Sequence, residues 1–117
     1  MTERSITFTK EQIAAYAKAS GDVNPIHLDD DFARTVGLPG IIAHGMLQMG
    51  LMATVAAEAA GGRDRLRRLS CRFAGMVVPG DTVTFTAVPA GDGKLELRAA
   101  NQREEPVLTK SVGEFSS

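Results

Sequence analysis

The segment Asp22-Val23-Asn24-Pro25-Ile26-His27 brings a carboxylate and an imidazole close together in the chain. Aspartate can accept a proton or orient a water, and histidine can give or take a proton near neutral pH. Five positions and a proline bend separate the two. If the bend turns both side chains inward, they hold the same water molecule. Asn24 can fix such a bend through its side-chain amide, because asparagine readily hydrogen-bonds nearby backbone. The segment also suits a structural role, with Asp22 capping a turn and His27 packed as a satisfied core histidine. Spacing alone leaves both readings open.

A second candidate lies further on, at Ala43-His44-Gly45-Met46. These residues open a long apolar run that reads as a helix. The first N–H groups of a helix have no partner within it and carry partial positive charge. Gly45 would let a substrate approach them closely, and such a site stabilises an enolate-like oxyanion. Alternatively, Gly45 is only a small residue at a crowded helix start, and His44 only caps or packs.

Metal chemistry is not expected. Asp22, His27, Asp29, Asp30, Asp31 and His44 supply ligand atoms, but no pair of histidines has the HxxxH or HExxH spacing. Asp22-Val23-Asn24 begins like a calcium loop, yet Ile26 and His27 stand where that loop needs an oxygen ligand and a glycine. No phosphate-binding loop or dinucleotide fingerprint occurs, so no cofactor is implied.

The elements that must position these residues follow from patterning. Ser5–Thr9 alternates Ile6 and Phe8 with polar residues and reads as a short strand. Thr9 is a plausible N-cap for a helix with Ile13, Ala14, Tyr16 and Ala17 facing the core, stopping near Ser20-Gly21. Pro25 forbids a regular helix between Gly21 and Leu28. A short helix capped by Asp29 follows, with Phe32, Ala33 and Val36 as its apolar face. Gly37, Pro39 and Gly40 break the chain again. From Ala43 to Ala60 the run has almost no polar face, so it reads as a buried helix roughly 27 Å long, ended by Gly61-Gly62.

The period then changes to two. Leu69, Cys71 and Phe73 alternate with polar residues, as do Val83, Phe85 and Ala87, then Leu95, Leu97 and Ala99. Val107–Phe115 is a fourth, weaker run. Turn residues separate the runs, and Asp92-Gly93 favours a tight hairpin. The expectation is an α+β chain: an antiparallel meander wrapped around a central buried helix. One sheet covers only one side of that helix and leaves open edges, which dimerisation would relieve.

Composition narrows the classes. The 117 residues suit a single domain spanning 1–117, with a net charge of −1. That balance lacks the basic excess of a nucleic-acid binder. One cysteine, Cys71, excludes an internal disulfide and a cysteine-based zinc site, and its place in an alternating run suits packing. No signal peptide is visible, and His44, Gln48 and Glu58 interrupt the Ile41–Ala60 stretch, so no membrane span is expected and the cytoplasm is the default location.

Taken together, Ser20-Gly21-Asp22-Val23-Asn24-Pro25-Ile26-His27-Leu28-Asp29 and Ile42-Ala43-His44-Gly45-Met46-Leu47 resemble the MaoC-like, (R)-specific enoyl-CoA hydratase family. Phe73 through Gly80-Asp81 looks like that family's strand pair. The resemblance implies a hot-dog fold acting as a dimer, with Asp22 and His27 as catalytic dyad and Gly45 N–H polarising a thioester carbonyl. Asn24 is then, with Gly45, a substrate-binding residue. The implied substrate is an acyl-CoA or acyl-carrier-protein thioester. Some relatives carry serine on the central helix where this chain has Ala53, with Thr54 beside it, so the contact that serine makes does not carry over to this position. The chain also resembles the catalytic subunit of hydroxyacyl-carrier-protein dehydratases that pair with a second hot-dog subunit. A heterodimer therefore stands beside the homodimeric enzyme, and Ala53 with the small size leaves a non-catalytic partner role as a further alternative. Arg63, Arg65, Arg67 and Arg68 could meet CoA phosphates or an acidic carrier, or form only a solvated loop. Thioesterase chemistry needs a carboxylate or nucleophile facing the thioester from the helix. Only Glu58 offers one, near the wrong end.

Overall fold

A computed structural model describes residues 1–116. The first strand, β1 (Thr2–Thr7), is followed by helices α1 (Lys10–Ser20), α2 (Asp30–Thr35) and α3 (Gly45–Ala60). Strands β2 (Leu66–Phe73), β3 (Thr82–Pro89), β4 (Lys94–Ala100) and β5 (Pro106–Phe115) complete the chain. All pairings are antiparallel, in the order β1-β3-β4-β5-β2. The sheet packs on α3 through β1, β2, β3 and β4. This is the expected hot-dog architecture. Among the described residues, no helix is long and apolar enough to cross a membrane.

Local sequence accounts for the helix ends. The Thr9 hydroxyl accepts from Gln12 N–H at 3.1 Å, and Gly21 closes α1 at φ 81°, a left-handed conformation glycine adopts without strain. The Asp29 carboxylate accepts from Asp31 and Phe32 N–H, capping α2 as expected. Two expectations need correction here. The strand lies at Thr2–Thr7 rather than Ser5–Thr9, because its pairing with Ala87–Thr82 extends to the N-terminus. The apolar face of α2 is not buried: Ala33 is, but Phe32 and Val36 are exposed. So short a helix has too little surface to bury three residues at once.

The meander expectation holds for β3-β4-β5 but not for β2, which pairs with β5 at the far edge. Alternation marks a strand's faces, not its neighbour. One extra residue of β5, opposite both β4 and β2, falls at Lys110, whose φ of 48° marks the irregularity. Such a bulge increases local twist and bends the sheet around the helix. The core is Phe8, Ile13, Met52, Val55, Val83, Phe85, Leu95, Leu97 and their neighbours, from α1, α3 and the inner sheet face. Cys71 is half-buried against it, and burial pushes its thiol pKa up.

The Pro79-Gly80-Asp81 turn is pinned to Phe8, after β1, and to Gln102. Gly80 sits at φ 97° and donates to Phe8 O, and the Asp81 carboxylate accepts from Val78 N–H and the Gln102 amide. Two residues before that turn, Val77 O accepts from Ala43 N–H at 2.8 Å. The segment leading into the central helix is thus tied to the loop between β2 and β3.

Candidate active site

Pro25–His27 forms a single 3-10 turn after the α1 cap. The Asn24 side-chain oxygen accepts from Ile26 N–H at 3.1 Å and starts that turn. Asn24 itself is exposed, and its side-chain oxygen is committed to shaping the bend. Asp22 Oδ1 lies 3.4 Å from Asn24 N–H, which leaves Oδ2 on the other side of the carboxylate. His27 is buried, while the Asp22 side chain is 56% exposed. The pair therefore sits half inside the protein, open to solvent from the aspartate side.

The histidine tautomer follows from its partner. His27 Nδ1 lies 2.7 Å from Ile42 O. A carbonyl only accepts, so Nδ1 carries the proton and Nε2 is left for chemistry. Nε2 stands 4.0 Å from Asp22 Oδ2. That is too long for a direct hydrogen bond, but one water at ~2.8 Å from each can touch both. Ile42 N–H in turn donates to Ile26 O at 3.2 Å, so the 3-10 turn and the approach to α3 hold each other.

Asp30 braces the same loop. Its carboxylate accepts from Ile41 N–H at 2.8 Å and from Lys10 Nζ at 2.7 Å. The lysine hydrogen bond, then the backbone one, hold its pKa below the ordinary value.

Gly45 opens α3. The first bond of the helix ladder is Gln48 N–H to His44 O, so the Gly45, Met46 and Leu47 N–H groups precede it. The space beside Gly45 is filled. A Cβ there would meet the Phe73 ring at 3.1 Å. Packing by Phe73 is thus a reason for glycine that the sequence did not disclose. Phe73 is half-exposed, as are Met46 and Met76, so the helix start opens onto an apolar rim.

From the sequence His44 is a cap or packing residue, but the structure brings it against both Asp22 and His27. Its ring stacks on His27 at 3.6 Å between centroids, and its Nε2 lies 3.0 Å from Asp22 O. A histidine directly before a glycine at a helix start was the available signal. Asp22, His27 and His44 also have ligand atoms within 4.8 Å of one another. Stacked rings with an interplanar angle of 20° project their lone pairs side by side rather than at a common point. That arrangement does not suit a tetrahedral metal.

Other candidates fall elsewhere. Arg63, Arg65, Arg67 and Arg68 are exposed beyond the C-terminal end of α3, roughly 24 Å along the helix from Gly45. Glu58 lies on the last turn of α3 and is paired with Arg4. Ala53 is half-buried in mid-helix.

Residues 1–110 match the MaoC like domain family. Fatty acid synthase beta subunit TOXC of Cochliobolus carbonum is 36% identical over 104 residues, 86% of this chain and 5% of that protein. Peroxisomal hydratase-dehydrogenase-epimerase of Saccharomyces cerevisiae is 37% identical over 89 residues, 76% of this chain and 9% of that protein. The chain therefore spans a small fraction of the length of these curated relatives. The solved (R)-hydratase from A. caviae involved in PHA biosynthesis superimposes with a TM-score of 0.81 at 29% identity, over 97% of this chain and 91% of that one.

Proposed function

The chain belongs to the MaoC-like domain family, and from that premise we propose that it reversibly hydrates trans-2-enoyl thioesters to (R)-3-hydroxyacyl thioesters, with acyl-CoA as the carrier. The observation that carries this reading is the free His27 Nε2 facing Asp22 Oδ2 at 4.0 Å, with Nδ1 occupied by Ile42 O. In the forward direction the pair holds a water. Its oxygen bonds to C3, the C2–C3 π electrons move to C2, and the water's proton passes to the pair. The same pair returns a proton to C2, so the net change is one water added. Gly45 N–H stabilises the enolate-like oxygen formed in between, a contribution worth about 3 kcal/mol where such donors have been removed.

The protein would work as a homodimer, which covers the outer side of α3 and the apolar rim at Met46, Phe73 and Met76. A relative named as a fatty acid synthase subunit favours a second reading, the same chemistry on a carrier-protein thioester. The same acyl group presented on CoA and on carrier protein separates the two through kcat/KM. Incubation with crotonyl-CoA, followed by chiral analysis of the product, tests the reaction itself. The expected product is (R)-3-hydroxybutyryl-CoA; the (S) product, or free CoA from hydrolysis, would refute the proposal.

A further inference from the structure

His44 is the buried histidine that the acid/base scheme does not use. Its ring is only 2% exposed. It occupies the N-cap position of α3 but makes no side-chain cap bond. Residues favoured at that position, such as serine or aspartate, would turn back onto the helix N–H groups. His44 instead points away from the helix, with Nε2 at 3.0 Å from Asp22 O. The carbonyl can only accept, so Nε2 carries a proton, and with no acceptor beside Nδ1 the neutral ring leaves Nδ1 bare. Nδ1 is buried and has no hydrogen-bond partner among the described residues. One face of the ring lies against His27, and Tyr16 meets it edge-on at 4.9 Å. The bond from Ala43 N–H to Val77 O fixes the backbone immediately before it.

On the reading that Asp22 and His27 carry the proton transfers, we infer that His44 is their positioning residue. Its Nε2–H holds the Asp22 backbone, and its ring buttresses the imidazole of His27. Together these contacts keep Oδ2 and Nε2 at the spacing that accepts one water. Asp22 needs such a tether, because its side chain is largely exposed and would otherwise move with the bend. The stack also confines His27 to the plane in which Nδ1 reaches Ile42 O.

A double-mutant cycle tests the inference, with melting curves to confirm folding. His44→Phe keeps a ring against His27 and removes the donor. It is expected to lower kcat about tenfold, the scale of one hydrogen bond, and to change KM less than about twofold. His44→Gln restores a donor and recovers part of the loss. In the Asp22→Asn background, His44→Phe should cost less than about twofold more, because residues that act through one another are not additive. Equal losses in both backgrounds, or wild-type kcat in His44→Phe, would overturn the inference. Imidazole nitrogen NMR of the wild-type protein provides a readout independent of activity. It should show His44 with Nε2 protonated and Nδ1 bare; a protonated Nδ1 overturns the inference even if the enzyme is active. An inactive wild-type protein with that tautomer would instead sink the functional reading, leaving the His44–Asp22 contact in place.

Discussion

Replacing Gly45 with alanine separates two reasons for a glycine at the start of α3. The added Cβ would stand 3.1 Å from two atoms of the Phe73 ring and 3.3 Å from a third. Ordinary carbon contacts begin near ~3.5 Å, so the ring must give by a few tenths of an ångström. Phe73 is 50% exposed and ends an edge strand, so it can yield. Overpacking of this kind costs about 1 kcal/mol at the mild end of its range. Alanine in place of glycine in a helix returns up to about 1 kcal/mol. The net stability change should stay within about 1 kcal/mol, a melting shift of only a few degrees. Activity should respond far more. If Gly45 N–H stabilises the developing oxyanion, displacing substrate from it costs about a hundredfold in kcat. Loss of enoyl absorbance from crotonyl-CoA gives the rate, and a melting curve on the same sample gives the stability. Wild-type kcat in Gly45→Ala would refute the role assigned to this N–H group. Full recovery of activity in Gly45→Ala with Phe73→Leu would show that the glycine serves ring packing alone.

Two further outcomes follow from the packing and the charges. Met52 is fully buried between α3 and the sheet, so Met52→Ala should destabilise by about 2–5 kcal/mol, read from the denaturant midpoint. Asp30 is held below its ordinary pKa, first by Lys10 and then by Ile41 N–H. A depressed carboxylate contributes stability that is present above the unfolded value and lost as pH falls through the folded one. The Asp30 contribution should therefore be lost as pH drops below 3.8, and Asp30→Asn should flatten that part of the stability curve. An unchanged acid limb would contradict the brace on the Ile41 loop.

Much of this arrangement was legible in the sequence where local chemistry dictates local structure. Thr9, Gly21 and Asp29 are caps because their side chains or missing Cβ suit orphan N–H groups or a left-handed turn. The central helix was legible from its apolar run, and the later strands from alternation. The position of β2 was not, because pairing partners are chosen by the tertiary fold. Nor was the exposure of Phe32 and Val36, since an apolar pattern marks a face without saying what covers it. Within the site, the Asp22–His27 pair was readable as a carboxylate and an imidazole across a bend. The tautomer of His27 was not, because it depends on Ile42 O, fifteen residues on. The Phe73 ring on Gly45 and the His44 stack were hidden for the same reason: each joins residues from separate elements.

The most direct measurement is the rate of crotonyl-CoA hydration by the wild-type protein beside Asp22→Asn and His27→Ala, each checked for folding by its melting curve. The account predicts that both variants fold and that each loses at least about a hundredfold in kcat, the lower end of what acid/base groups contribute. Folded variants that hydrate at the wild-type rate would contradict it.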